Sequence, residues 1–353
     1  MLRFIATGEV PEVTHRILAP HGPIEVTADN EQATLDAAVD DDVIGLILRG
    51  SSGAPGDLIR RAAGLRVIGR TGVGYDSVDV EAATECGVAL ITTPGANAAT
   101  VAEASVAYLL ALNKRIPYWD EQMKARNWAS REQFLACDIA GLTVGIVGFG
   151  NIGQSLARLL GPFQVTLLAH DPYGDPAAAE ALGVELVELD ALLTRSDTVC
   201  LHTALTAETR GMIDRTRIAA MKPGSFLINL ARGGVVESLD AVLAGIEDGP
   251  LAGAALDVFE PEPPDFDHPI FRHPAVLTAP HAMAMTQGAM DRMAEVMAEG
   301  MAAVLDGERP PLVVVNPEGG APGGGAGPPG GAGGGGVRGG GGAGGGGFIE
   351  RRG

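Results

Sequence analysis

Lysine is nearly absent from this 353-residue chain: Lys114, Lys124 and Lys222 are the only three, and arginine supplies the rest of the 25 basic residues. Against 44 Asp and Glu the formal net charge is −19. Nucleic acids and anionic membranes are held by clustered positive charge, so this balance argues against both as partners. It still leaves room for a local basic pocket that takes an anionic small molecule. Cysteine is scarce as well. Cys86, Cys137 and Cys200 are odd in number, far apart and without CxxC spacing. Neither a disulfide framework nor a metal site of the zinc type is expected, and the pattern fits a reducing, cytoplasmic setting. The N-terminus, MLRFIATGEV, has no sustained apolar stretch, so no signal peptide is expected. No apolar run approaches the roughly 18 residues that mark a membrane span.

What is present is apolar and periodic. Hydrophobic residues make up 46% of the chain, enough for a large core, and the length suits two domains. In the first hundred residues, Gly45 to Leu48, Leu65 to Gly69 and Val88 to Thr92 read as buried strands, with a helix over Gly56 to Ala63. A longer helical region runs from Thr100 to about Asn127. A second unit begins with the strand Leu142 to Val147. It continues through strands at Val165 to Ala169, Thr198 to His202, Ser225 to Leu230, Gly253 to Val258 and Ala275 to Ala279. Strands alternating with helices predict an α/β fold with largely parallel sheets. Gln287 to Leu305 reads as a helix with Met290, Met293, Met297 and Met301 on one face. A methionine stripe of this kind is core, and the helix is expected to pack back on the first domain. From Glu318 the chain turns to Gly with Ala and Pro, a composition that cannot bury enough apolar surface to offset chain entropy, so the tail is expected to be disordered. The expected division is residues 1–99 with 287–317 as one discontinuous domain, 100–286 as another, and 318–353 as the tail.

The segment TVGIVGFGNIGQSLARLL carries the clearest chemistry. A buried strand runs into Gly148-Phe149-Gly150-Asn151-Ile152-Gly153, and a helix follows. In such a turn Gly148 permits the tight bend, Gly150 admits a pyrophosphate close to the backbone, and Gly153 lets helix and strand pack closely. The helix N-terminus offers free N–H groups to phosphate. The next strand ends at Asp171, 18 residues after Gly153. A carboxylate there accepts from the adenosine ribose hydroxyls and repels a 2′-phosphate, which predicts NAD over NADP.

Ligands of open parallel sheets bind beyond the carboxyl ends of the strands. In this unit those ends carry His202-Thr203, Ala231-Arg232, Asp257 followed by Glu260 and Glu262, and His281. Taken singly, Arg232 reads as a surface arginine, Glu262 as a solvated side chain and His281 as a loop histidine. Together they are the parts that oxidation of a hydroxy acid requires. His281 suits proton exchange because imidazole titrates near neutrality. Glu262 suits its orientation, and Arg232 suits bidentate capture of a carboxylate. Asp257 is expected to face the nicotinamide end of the cofactor. Glu260 is a near neighbour of Glu262, with Pro261 between them.

These motifs resemble the D-isomer-specific 2-hydroxy-acid dehydrogenases, the family of phosphoglycerate dehydrogenase, hydroxypyruvate and glyoxylate reductases, and formate dehydrogenase. The resemblance covers about residues 40 to 315. It rests on GRTGVGYDSVD (69–79), TTPGANAATVAEA (92–104), GIVGFGNIG (145–153), MKPGSFLINLARGGVVE (221–237), LAGAALDVFEPEP (251–263) and TAPH (278–281). It implies two Rossmann-like domains: a doubly wound NAD-binding sheet and a flavodoxin-like substrate domain. It places the catalytic Arg, Glu and His on Arg232, Glu262 and His281, and the cofactor contacts on Asp171 and Asp257. It also assigns substrate contacts to the Val73-Gly74 backbone and to Asn97, with Arg49 available for a second anionic group. A homodimer is implied. So is hydride transfer at C2 of a small D-2-hydroxy/2-oxo acid, with acids like 3-phosphoglycerate among the candidates. An NAD(H)-sensing corepressor-type protein on the same fold is the competing expectation. Glu262 argues against formate dehydrogenase chemistry. The chain departs from the family at His281-Ala282-Met283-Ala284-Met285, where Gly-rich residues are frequent, and at Ala204, where Pro is frequent.

Overall fold

Two all-parallel sheets organise the chain. The structure is a computed structural model that describes residues 1–50, 52–133, 135–308 and 314–317. The expected disordered tail, 318–353, lies outside the described residues. The first sheet contains β1 (Arg3–Ala6), β2 (Ile24–Val26), β3 (Val43–Leu48), β4 (Val67–Arg70) and β5 (Ala89–Ile91), in the order β2-β1-β3-β4-β5. This is the flavodoxin-like order. The second contains β6 (Thr143–Val147), β7 (Thr166–His170), β8 (Val184–Leu186), β9 (Thr198–Leu201), β10 (Ser225–Asn229), β11 (Leu251–Leu256) and β12 (Val276–Thr278), in the order β12-β11-β10-β9-β6-β7-β8. Chain order reverses between β6 and β9, so the glycine turn after β6 lies at the switch point where dinucleotides bind in doubly wound sheets.

The central strands are buried on both faces, as crossover helices require. β3 is buried at all six positions and β10 at all five. Continuous apolar runs of this kind are what the sequence pattern detected. β1, β2 and β8 were not individually legible. β2 and β8 are three-residue strands at sheet edges, too short for periodicity to register.

The helix Ala98–Asn113 bridges the two lobes and packs along the glycine-turn helix Asn151–Leu160. It does not continue to Asn127 as one element. Arg115 adopts a left-handed conformation, φ 50°, and a second helix, Ile116–Lys124, starts there. The helix Gln287–Leu305 has the bounds read from the sequence and lies against β4, β5 and the helix Glu12–Leu18. Met293, Met297 and Met301 are buried on its inner face, with Met301 against Gly69 of β4. After it the chain returns to the first sheet. The buried Asn316 side chain accepts from Leu90 N–H at 2.8 Å and donates to Val88 O at 2.9 Å. No helix among the described residues is long and apolar enough to cross a membrane.

Candidate active site

The proposed functional residues of the second lobe line the carboxyl edge of its sheet in strand order. His281 follows β12, Asp257 follows β11, Arg232 follows β10, His202 and Thr203 follow β9, Gly148 follows β6, and Asp171 follows β7. Backbone bonds tie neighbouring ends together: His281 N–H to Asp257 O at 2.8 Å, Asp257 N–H to Asn229 O at 3.1 Å, and His202 N–H to Val147 O at 2.7 Å. The sheet register therefore converts residues scattered over more than a hundred positions into one row.

At the glycine turn, Gly148 has φ +95°, a conformation that side-chain-bearing residues rarely adopt, and a Cβ there would collide with the His202 carbonyl and Thr203 N. A Cβ on Gly153 would strike Gly148 O, which fixes how closely helix and strand pack. Gly150 faces open space. Asn151 opens the helix, with its amide beside Gly95 of the other lobe, and Ile152 packs partly into the core beneath. Asp171 accepts from Phe149 N–H at 2.8 Å and Tyr173 N–H at 2.9 Å, so its carboxylate is held next to the turn. A helix N-terminus whose Gly150 faces open space, with a fixed carboxylate beside it, fits a dinucleotide carrying free ribose hydroxyls.

His202 is buried. Its Nε2 lies 3.2 Å from Ser105 Oγ, while Nδ1 has no partner among the described residues. Burial pushes its pKa down to about 4, so the ring is neutral. The Asn97 side-chain oxygen, at the start of the bridging helix, is likewise buried and unpartnered among the described residues.

Glu262 and His281 meet: Nδ1 of the ring is 2.9 Å from Glu262 Oε2. The other carboxylate oxygen, Oε1, accepts from Phe259 N–H at 3.0 Å. Burial works to raise the Glu262 pKa. Hydrogen bonds from His281 and Phe259, with the charges of His281 and Arg232, outweigh it and hold the group below its usual range. Glu260 turns elsewhere and pairs with Arg210 at 2.6 Å, which separates the two glutamates. His281 itself has φ 53°, a strained conformation for a non-glycine residue. Its Nε2 has no partner among the described residues.

Asp257 is 3% exposed and its carboxylate accepts from the amides of Ala282 at 2.9 Å and Met283 at 3.3 Å. Burial raises its pKa and those amides only partly offset the shift. The residue thus anchors the loop that begins at His281, a role invisible in the sequence.

Arg232 precedes Gly233-Gly234. A Cβ on Gly233 would overlap the Phe259 carbonyl and one on Gly234 the Glu260 carboxylate, so the glycines let this turn press against the Glu262 loop. Asn229, also missed by sequence reasoning, pins the turn by accepting from Ala231 N–H and donating to Arg232 O, both at 3.0 Å. The guanidinium donates from Nη1 to Ala231 O at 2.8 Å and from Nε to Asp76 Oδ2 at 3.4 Å. Its Nη2 lies against Gly74, where a Cβ would collide with it. The first lobe therefore meets the row of strand ends at the Gly72-Val73-Gly74 loop.

That loop is braced by Arg70, whose role is not legible in the sequence. Its guanidinium donates to the carbonyls of Gly74 at 2.5 Å, Gly50 at 2.7 Å and Ser52 at 2.9 Å. Burial, then the nearby charge of Arg232, lowers its pKa, and Asp76 partly compensates. Arg49 stands at the end of the adjacent β3 with its aliphatic stem near Gly8, and no ion pair engages its guanidinium among the described residues. No cluster able to hold a metal ion occurs among the described residues.

Comparison with known proteins follows the same lines. Residues 106–283 match the NAD binding domain of the D-isomer specific 2-hydroxyacid dehydrogenases. The chain is 36% identical to a D-3-phosphoglycerate dehydrogenase of Methanocaldococcus jannaschii, over 90% of this chain and 60% of the relative. It spans about half the length of the other phosphoglycerate dehydrogenases it matches. It is 35% identical to a glyoxylate reductase of Thermococcus onnurineus, over 88% of this chain and 95% of that one. A Thermus thermophilus protein of known crystal structure superposes with a TM-score of 0.80 at 35% identity, covering 89% of this chain and all of the other.

Proposed function

Because the chain belongs to the D-isomer specific 2-hydroxyacid dehydrogenases, we propose that it is an NAD-dependent dehydrogenase that interconverts a small 2-oxo acid and its D-2-hydroxy acid. The observation that carries this reading is the His281–Glu262 pair set in one row with Arg232 at the carboxyl edge of the cofactor sheet. In the proposed division, residues 1–99 with 287–317 form the substrate domain and 100–286 the NAD-binding domain.

The residues present fit NAD. Gly148, Gly150, Asn151, Ile152 and Gly153 would hold its pyrophosphate, Asp171 its adenosine ribose, and His202, Thr203, Ala231, Arg232 and Asp257 its nicotinamide half. When bound it supplies or accepts the hydride at C2. Everything else falls to this chain. The Val73 and Gly74 amides and Arg232 hold the substrate carboxylate, with Asn97 at the hinge beside it, and Arg232 also polarises the C2 oxygen. In reduction, His281 gives the proton on Nε2 to that oxygen, and in oxidation it takes the proton back. Glu262, bonded to Nδ1, fixes the ring so that Nε2 faces the substrate and stabilises the imidazolium. Closure of the two lobes excludes water from the reacting carbon.

The test is NADH oxidation against a panel of glyoxylate, hydroxypyruvate, phosphohydroxypyruvate and branched 2-oxo acids. Turnover of at least one is expected, whereas tight NADH binding with silence across the panel contradicts the reading. That silence is also what a corepressor-type NAD(H) sensor would give, a reading that draws no support from the relatives named above.

Asp171 sets cofactor choice. NADH should bind at least tenfold more tightly than NADPH, by the order of roughly 1.4 kcal/mol per decade, because the fixed carboxylate repels a 2′-phosphate. Paired fluorescence titrations check this, and equal affinity would remove the role of Asp171. Arg49 bears on the substrate. If its guanidinium takes a second anionic group, Arg49→Ala weakens phosphohydroxypyruvate and leaves glyoxylate unchanged. Equal KM changes for both acids would contradict that assignment.

A homodimer belongs to the proposal. Trp128, 65% exposed, and Leu135, 89% exposed, with Ile116 and Met123, are large apolar side chains open to solvent in the segment after the bridging helix. The exposed free thiols Cys86 and Cys137 suit a reducing cytoplasm.

A further inference from the structure

Arg232 has three ways to be held, and the structure uses each differently. Nη1 is tied to Ala231 O in its own lobe, Nη2 is pressed against Gly74, and Nε reaches Asp76 of the opposite lobe. Asp76 lies two residues beyond Gly74, in the same motif that supplies Arg70 and the Val73-Gly74 amides. Arg70 is fixed by three carbonyls and repels Arg232, so the guanidinium sits beside a like charge. Asp76 is the carboxylate that faces both.

The Asp76–Arg232 pair is not built for stability. Its separation is 3.4 Å and the two side chains are 57% and 32% exposed, the range in which ion pairs contribute little to folding. What it fixes is rotation. With Nε bound on one side, the planar fork can present Nη2 only towards Gly74.

We propose that Asp76 is the positioning residue of Arg232. Reaching across from the first lobe, its oxygen accepts from Nε and keeps Nη2 turned to the Val73-Gly74 amides, where the substrate carboxylate docks. The inference rests on the function proposed above. Because Asp76 and Arg232 belong to different lobes, the carboxylate site is complete only at the lobe spacing seen here. Closure and assembly of the anion site are then one event.

The test uses full-length Asp76→Ala and Asp76→Asn. Asparagine keeps an oxygen that can accept from Nε, and alanine does not. With the best 2-oxo acid of the panel, Asp76→Ala should lower kcat/KM by roughly 10- to 100-fold, the scale of a group displaced by about an ångström. The loss should fall mainly on KM for the acid. Oxalate, titrated into the NADH complex and read by bound-NADH fluorescence, should weaken by a similar factor. Affinity for NADH and Tm should not move, and Asp76→Asn should recover most of the loss. Wild-type kcat/KM in Asp76→Ala, or an Asn variant as impaired as the Ala variant, overturns the inference and leaves the proposed function standing. If the wild type reduces none of the acids, the function falls, and the oxalate titration still decides the matter. A weaker complex in Asp76→Ala supports the role of Asp76, and unchanged affinity overturns it.

Discussion

His281→Asn should lower kcat by roughly 10²- to 10⁴-fold, the range contributed by a positioned acid–base group, and leave NADH affinity unchanged. Asparagine is the informative replacement because it tolerates the left-handed backbone that His281 adopts at φ 53°. The loop amides that bind Asp257 are then kept, and the loss reports the imidazole alone. Alanine would add backbone strain to the same readout. The two ring nitrogens have separate tasks. Nδ1 is committed to Glu262 at 2.9 Å and Nε2 is open among the described residues, so the ring has one nitrogen for orientation and one for the substrate. Stopped-flow or steady-state NADH oxidation, with a parallel fluorescence titration, separates turnover from binding. Turnover within a few-fold of wild type would assign the proton to another group.

Arg232→Ala is expected to be at least as damaging to kcat/KM, by roughly 10³-fold or more, since removing a single preorganised donor to a developing oxyanion typically costs 10²- to 10³-fold. Arg232 does two things at once: it binds the carboxylate in every state and polarises the C2 oxygen as charge builds there. KM for the acid should rise and kcat should fall together. Arg232→Lys should rescue little. A lysine ammonium has no planar fork, so it cannot bond Ala231 O, engage Asp76 and still present a donor to the Gly74 side. A Lys variant with near-normal kcat/KM would show that only the charge matters, against the role given to the fork.

The parts of the fold legible in the sequence are those with long or fully buried elements. The central strands read as apolar runs, and the helix Gln287–Leu305 carries a full methionine stripe with Thr286 accepting from Ala289 N–H as its cap. Short edge strands gave no period to read. The break at Arg115 carries no glycine; its signal is Pro117, which lacks the N–H an unbroken helix needs there and fits only the first turn of a new one.

The site divides the same way. Glycines with a compulsory conformation, and polar residues at strand ends, stand out in a linear chain. Supporting residues do not. Arg70 reads as an ordinary charge at the end of a strand until the carbonyls of Gly50 and Ser52, some twenty residues earlier, are seen to close on it. Asp76 means nothing without Arg232, 156 positions away. Asn229 is one more polar residue near a turn until its amide is seen clasping both Ala231 and Arg232. Glu260 and Glu262 are separable in space because one has Arg210 and the other has His281, and neither partner is local in sequence.

In the proposed chemistry, three side chains from three strand ends converge on one small acid. A crystal structure with NADH and oxamate tests this most directly. The oxamate carboxylate is expected between Arg232 and the amides of Val73 and Gly74, with its carbonyl oxygen within hydrogen-bond distance of His281 Nε2. Oxamate bound away from Arg232, or with His281 turned from it and from Glu262, would contradict that convergence.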